Sequence, residues 1–210
     1  MICLQNGVAN IDIASKIITN PVYAAVVYVA AGMIGQTTMK HHGRGELLVG
    51  SLGAASPIDD QNLSEICKLF EGAGVPCSIA PQIKRDMWLK FLVNCSFNAI
   101  SGIGQISYGE MVKSPSIIKL IEEITKEFLA IAGFEDVNIT MAEAFAANDS
   151  IARTMVTQVS STAQDLAKGK MTEMDFLNGY IVELGKRHGV PTPYNESVHA
   201  LVKMMESKFK

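Results

Sequence analysis

Charge is scarce in this sequence: only 19% of its 210 residues are charged, and the net charge is −3. Nothing in that balance calls for nucleic acid or an anionic membrane as a partner. Cysteine is sparse as well. Cys3, Cys67, Cys77 and Cys95 stand far apart, with no Cys-x-x-Cys pair and no histidine at zinc-finger spacing, so they read as buried thiols of a reducing, cytoplasmic environment. The first ten residues, MICLQNGVAN, have no basic region ahead of an apolar one and do not read as a signal peptide. The longest apolar run, Val22 to Gly35, is 14 residues long, short of the ~20 that span a bilayer, and a buried strand suits it better. No Gly-x-Gly-x-x-Gly dinucleotide fingerprint occurs anywhere. Gly43-x-Gly45 is too short to be one, and a hairpin turn explains it.

What the chain does have is apolar bulk, with 48% hydrophobic residues, enough for one large or two small packed domains. Within that bulk, Met87 to Ile100 (MWLKFLVNCSFNAI) is an apolar helix with a thin polar stripe. Lys90, Asn94 and Asn98 recur every four residues, turning only about 40° at each step. Trp88, Phe91, Leu92, Val93, Cys95, Phe97 and Ile100 surround them. Placing an ammonium and two carboxamides there is costly unless they meet partners or a ligand. Two readings follow from spacing alone. The asparagines tie neighbouring backbone together while the lysine snorkels to water, or the three form a substrate site with Lys90 as proton donor or anion holder.

In chain order, Met1 to Leu4 reads as a short strand breaking at Asn6-Gly7, and Val8 to Ile18 has helical spacing. Tyr23 to Gln36 reads as a strand, and Thr37 to Leu52 as strand, glycine turn, strand. The pair His41-His42 would point to opposite faces of a strand, so no metal site is expected there. Ser56 to Asp60 offers caps for a helix ending at Gly72 to Gly74, and Val75 to Ala80 is a short strand. From Gln82 onward only helical periodicities appear, over 83–101, 114–133, 140–167, 173–189 and 194–208. These predict an α/β part over 1–81 and an all-α part over 82–210. Thr172 is the expected N-cap of the fourth of these helices, with Asp175 as a near capping box.

Three segments carry a likeness: Leu4-Gln5-Asn6-Gly7; Trp88-x-Lys90-Phe91-Leu92-Val93-Asn94-Cys95-x-x-Asn98; and Ser160-Ser161-x-x-Gln164-Asp165 followed by Thr172-Glu173-x-Asp175-x-x-Asn178-Gly179. In order and spacing the chain resembles the ketopantoate reductases, or 2-dehydropantoate 2-reductases, from its first residues to its last. The resemblance implies a Rossmann-type NADP-binding α/β domain followed by a helical bundle like the C-terminal domain of 6-phosphogluconate dehydrogenase. It implies NADPH-dependent reduction of a 2-keto acid, 2-dehydropantoate to pantoate in pantothenate biosynthesis. Lys90 would be the general acid, and Glu173 would hold the substrate hydroxyl. Asn94 and Asn98 would position the substrate, Ser161 would meet its carboxylate, and Asn6 would lie between nicotinamide and substrate. Each of the last-named residues also has an ordinary explanation: Glu173 by the dipole of a helix start, Ser161 as a helix serine, Asn6 by its turn. Asp175 and Asn178 are expected to be structural.

Two features depart from the family pattern. The strand, glycine turn and helix that hold the cofactor pyrophosphate are lacking, so the chain is expected to be a truncated form, its sheet edge covered by another subunit in a homodimer or its stability lower than the parent's. After Asn98 the chain reads Ala99-Ile100-Ser101, where many family members have proline, which leaves the particular bulky 2-keto acid open. The alternative is a non-catalytic ligand-binding or dimerisation module built on the reductase's helical half.

Overall fold

The computed structural model describes residues 1–53 and 56–209. The chain divides into two compact units, Met1–Met87 and Trp88–Lys210. The first is a small α/β unit: β1 (Ile2–Cys3), α1 (Ala9–Ile17), β2 (Tyr23–Met33), β3 (Met39–Gly50), α2 (Pro57–Gly72) and β4 (Cys77–Ile79). Its four strands lie in the order β1-β2-β3-β4, with β1 parallel to β2, β2 antiparallel to β3, and β3 parallel to β4. Tyr23, Ala25, Leu47, Val49, Leu63, Cys67 and Cys77 form its buried cluster, between the β2–β3 ribbon and α2. At the start of α2, Ser56 and Asp59 make a reciprocal capping box.

The hairpin turn lies elsewhere than Gly43-x-Gly45. The chain reverses between Met33 and Met39, where the Ile34 N–H reaches the Thr38 carbonyl at 3.0 Å, and β3 then runs unbroken to Gly50. Gly43 (φ +134°) and Arg44 (φ +56°) sit inside that strand, where the register shifts between Tyr28 and Val29 so that Gly45 has no partner opposite. This is a β-bulge, and glycine supplies its backbone angles. Turn and bulge draw on the same residues, so spacing alone favoured the wrong one. The His41 ring nitrogen meets the Arg44 carbonyl at 2.6 Å within the bulge; the side chain of His42 lies outside the described residues.

The second unit is helical. Helix α3 (Ile83–Gly104) runs into it and is followed by α4 (Tyr108–Met111), α5 (Pro115–Phe134), α6 (Met141–Thr154), α7 (Ser161–Ala167), α8 (Asn178–His188) and α9 (Pro193–Glu206). Phe91 of α3 and Phe128 of α5 stack edge to face at 5.1 Å with Trp88 beside both, which closes the core between these two helices. Buried amides add directional ties. Asn178 donates to the Cys95 carbonyl (3.0 Å) and to Asn195 Oδ1 (2.9 Å), and Asn195 donates to Glu127 Oε2 (2.7 Å). Asn178 therefore has the structural role expected of it.

The continuous helix read over 140–167 is two helices. Residues 155–160 turn the chain, and Ser160 starts α7 afresh by accepting the Ala163 N–H. The stretch read as helix over 173–189 likewise begins as a single 3₁₀ turn, Met174–Phe176, and Leu177 (φ −109°, ψ −111°) breaks it from α8. Among the described residues no helix is long and apolar enough to cross a membrane.

Candidate active site

The polar stripe of α3 is real and graded. Lys90 and Asn94 are half-buried, whereas Asn98 is only 5% exposed. At ~1.5 Å of rise per residue, Lys90 and Asn98 stand ~12 Å apart along the axis, with Asn94 midway. The aromatic cluster fixes the rest of the helix, so the stripe cannot roll without opening the core.

Two groups orient Asn98. The Tyr108 hydroxyl, on the short α4 that the sequence did not disclose, donates to Asn98 Oδ1 at 3.4 Å. Burial pushes the Tyr108 phenol up to about 12, so it keeps its proton and acts as donor. The Asn98 amide N–H groups are thereby left to donate elsewhere. The Asn98 carbonyl meanwhile accepts from Ser160 Oγ at 3.1 Å, and the Ser160 N–H reaches Ser101 Oγ at 3.1 Å. Thus the start of α7 is stapled to the Asn98 end of the stripe. Gly102, one turn further along α3, permits this approach: a Cβ there would lie 2.8 Å from the Thr162 methyl.

Ser161, the first residue of α7, is exposed beside that staple. One turn on, Asp165 is held above the usual carboxylate range by burial first and by the Glu173 charge second. Ser161 and Asp165, four residues apart, share one face of α7, and the Glu173 charge is near enough to act on Asp165. Glu173 itself is exposed and precedes the 3₁₀ turn, so an α-helix dipole does not account for it. Thr172 and Asp175 do not form the expected capping box. The Thr172 N–H and hydroxyl turn to Glu206, and Asp175 pairs with His199 and Lys203 of α9. Asn6 belongs to the first unit, at the carboxyl end of β1, where its carbonyl accepts from Asn10 at 3.1 Å and Gly7 (φ +79°) follows.

Comparison with known proteins decides the family. The model for the C-terminal part of ketopantoate reductase PanE/ApbA matches residues 82–206, and the model for ketopantoate reductase PanE/ApbA matches residues 1–54. The first match alone covers more than half of the chain. The chain belongs to the ketopantoate reductase PanE/ApbA family. The 2-dehydropantoate 2-reductase of Vibrio cholerae serotype O1 is 28% identical to it, with 100% of this chain and 69% of that protein covered. A PanE/ApbA family ketopantoate reductase from Ralstonia eutropha JMP134 has a crystal structure 38% identical, with a TM-score of 0.88 over 99% of this chain and 67% of that one. The ternary structure of D-mandelate dehydrogenase with NADH and anilino(oxo)acetate is 26% identical, with a TM-score of 0.90 over 99% of this chain and 68% of that one. The chain thus spans about two thirds of the length of these proteins. Membership of the PanE/ApbA family makes it an oxidoreductase of the 2-dehydropantoate 2-reductase type.

In PanE/ApbA terms, the helical unit offers the Lys90 ammonium and two carboxamides on α3, the Ser161 hydroxyl and the Asp165 carboxylate on α7, and the Glu173 carboxylate ahead of the 3₁₀ turn. That set suits a small polar acid: cations and amides meet its oxygens, and a carboxylate accepts from its hydroxyl. Sequence reasoning gave Ser160, Tyr108 and Asp165 no role. Ser160 could have been found as a serine three residues ahead of Ala163 at a helix start. No signal in the sequence links Tyr108 to Asn98.

Proposed function

We propose that this chain is a nicotinamide-dependent reductase of bulky 2-keto acids, with 2-dehydropantoate the first candidate, and that residues 82–210 hold the substrate while residues 1–81 belong to the nucleotide-binding side. The observation that carries this reading is the staple of α7 onto α3 at Asn98, which gives the polar stripe a fixed neighbour whose first residue is Ser161. The keto-acid class is supported by the V. cholerae relative's name and by the anilino(oxo)acetate bound in the D-mandelate dehydrogenase structure.

Does the chain suit a nicotinamide cofactor? The loop after β1, at the carboxyl end of a parallel strand, is where such sheets receive ligands, and Gly7 lets that backbone turn close to one. Asn6 is the residue assigned there, facing the nicotinamide. No residue is assigned to the pyrophosphate, since the sequence carries no Gly-x-Gly-x-x-Gly. NADPH, when bound, supplies the hydride to the keto carbon.

The chain's own groups do the rest. Ser161 binds the substrate carboxylate, and the Asn94 and Asn98 amides donate to substrate oxygens and fix its face. Lys90 Nζ donates a hydrogen bond to the keto oxygen, stabilises the charge that develops there and delivers its proton, leaving a neutral amine. Glu173 accepts from the substrate hydroxyl.

The test is NADPH oxidation by the 210-residue chain with 2-dehydropantoate, and with an aryl 2-oxo acid for comparison. Lys90→Ala is expected to lower kcat by about 10²- to 10⁴-fold with the thermal midpoint little changed. Near-parental turnover would overturn the assignment. The alternative reading is a non-catalytic binding module. Trp88 fluorescence that responds to the keto acid but not to NADPH would select it.

A further inference from the structure

Glu173 stands on a segment that cannot hold itself. Only one 3₁₀ turn follows it, and Leu177 breaks the backbone before α8 begins. The anchorage comes from α9, far along the chain. Glu206 is 1% exposed, and its Oε1 accepts both the Thr172 N–H (2.8 Å) and the Thr172 hydroxyl (2.5 Å). Its other oxygen lies 2.6 Å from Lys203 Nζ. Lys203 also donates to Asp175 Oδ2 at 2.8 Å, and Asp175 Oδ1 meets His199 Nε2 at 2.8 Å. On the near side, Thr172 Oγ1 accepts the Met174 N–H at 3.2 Å, and the Met174 side chain is fully buried.

Glu173 is therefore an exposed carboxylate set between neighbours that are each tied down. We infer that Glu206, bridged by Lys203 to Asp175, is a positioning residue that fixes Glu173 for the substrate; this rests on the reading of Glu173 as a substrate contact. Burying a lone carboxylate is costly, and an apolar side chain could fill the same space with less penalty. What the carboxylate adds is direction. Two hydrogen bonds to one residue fix the Thr172 backbone and side chain together, and the next Cα is that of Glu173. The site admits no slack: a Cβ on Gly179 would lie 2.8 Å from His199 Nε2 and 3.2 Å from the Met174 carbonyl. Glycine there lets His199 come close enough to reach Asp175.

A carboxylate displaced by about 1 Å from a substrate hydroxyl loses much of its worth, with losses of up to ~100-fold in reactions that depend on such placement. The experiment is a cycle of four full-length chains: parent, Glu173→Gln, Glu206→Gln and the double variant. The dissociation constant for 2-dehydropantoate is read from Trp88 fluorescence, and a thermal midpoint is taken for each. Glu206→Gln is expected to weaken keto-acid binding about tenfold in the parent and to change it less than about twofold in the Glu173→Gln chain, because the residue it acts through is already gone. Thr172→Val, which removes one of the two donors, is expected to weaken binding in the same direction and serves if Glu206→Gln fails to fold. Equal weakening in both backgrounds would overturn the inference by making Glu206 a stability residue alone. Parent-like binding by Glu206→Gln and Thr172→Val beside an impaired Glu173→Gln would overturn it while sparing the reading of Glu173. An unimpaired Glu173→Gln would overturn that reading and the inference together.

Discussion

The two units use polar side chains for different ends. In the α/β unit they are mostly local, as in Arg44 with Glu46 and Ser56 with Asp59, the tie of Tyr23 to Asp59 and Asn62 being longer in reach, and the buried cluster sets Ala25, Leu47, Val49 and Leu63 beside Tyr23, Cys67 and Cys77. In the helical unit they reach across the sequence: Asn178 to Cys95, Ser160 to Asn98, Thr172 to Glu206. Around them sits an aromatic core. A sheet fixes its own geometry through its ladder, so its side chains are free to do little more than pack. Helices have no backbone bonds to one another, and direction between them must come from side chains. The assigned substrate residues all lie in the unit where that direction is supplied.

The largest break in this comparison comes from the aromatic core. Phe128→Ala is expected to cost about 3–5 kcal/mol, because Phe128 is fully buried against Trp88 and Phe91 and rigid helices collapse poorly onto the space. Leu63→Ala in the α/β unit is expected to fall at the lower end of the ~2–5 kcal/mol range for that change. Chemical denaturation of the two variants, followed by Trp88 fluorescence and by circular dichroism, checks the order. A reversal would mean that the sheet's core is the less forgiving one.

Acid sharpens the contrast next. Burial would raise the Glu206 carboxyl, but Lys203 and Thr172 more than offset it and hold it below its ordinary value. Asp175 is lowered likewise, with Lys203 and His199 overcoming its burial. A depressed carboxylate contributes stability that is present above its unfolded pKa and is lost as pH falls through its folded one. The helical unit is therefore expected to lose stability on acidification below the ordinary carboxylate range, and Glu206→Gln to flatten that loss. Lys203, raised by both partners, keeps its contribution until well into alkaline pH. Thermal midpoints across the acid range, parent against variant, measure this.

Much of the fold was legible because period and punctuation agreed: the apolar body of α3, the caps of α2 and the glycine ends at Gly74 and Gly189 all follow from residue type. The Lys90–Asn94–Asn98 stripe was legible for the same reason. What failed were places where one residue pattern serves two backbones. Gly43-Arg44-Gly45 builds a bulge as readily as a turn, and the stretch before Ser160, whose Val156 and Gln158 carbonyls accept the Gly109 and Tyr108 N–H groups, breaks a helix that periodicity would have carried through. The Glu206 anchor was illegible, since Thr172 lies 34 residues away and no spacing rule connects them.

The smallest expected effect tests whether the units differ even where they share a motif. Each has a capping box, Ser56 with Asp59 at α2 and Thr140 with Glu143 at α6. The second is exposed. The first is tied onward: the Tyr23 hydroxyl donates to Asp59 Oδ1 at 2.9 Å, and Asn62 donates to that hydroxyl at 2.8 Å, so the cap also holds α2 to β2. Removing a cap costs about 0.5–2 kcal/mol. Ser56→Ala is expected near the top of that range and Thr140→Ala near the bottom, because only Ser56 orients an aspartate that binds the sheet. Urea midpoints of the two variants decide it, and equal losses would show that the Tyr23 link adds nothing to the box.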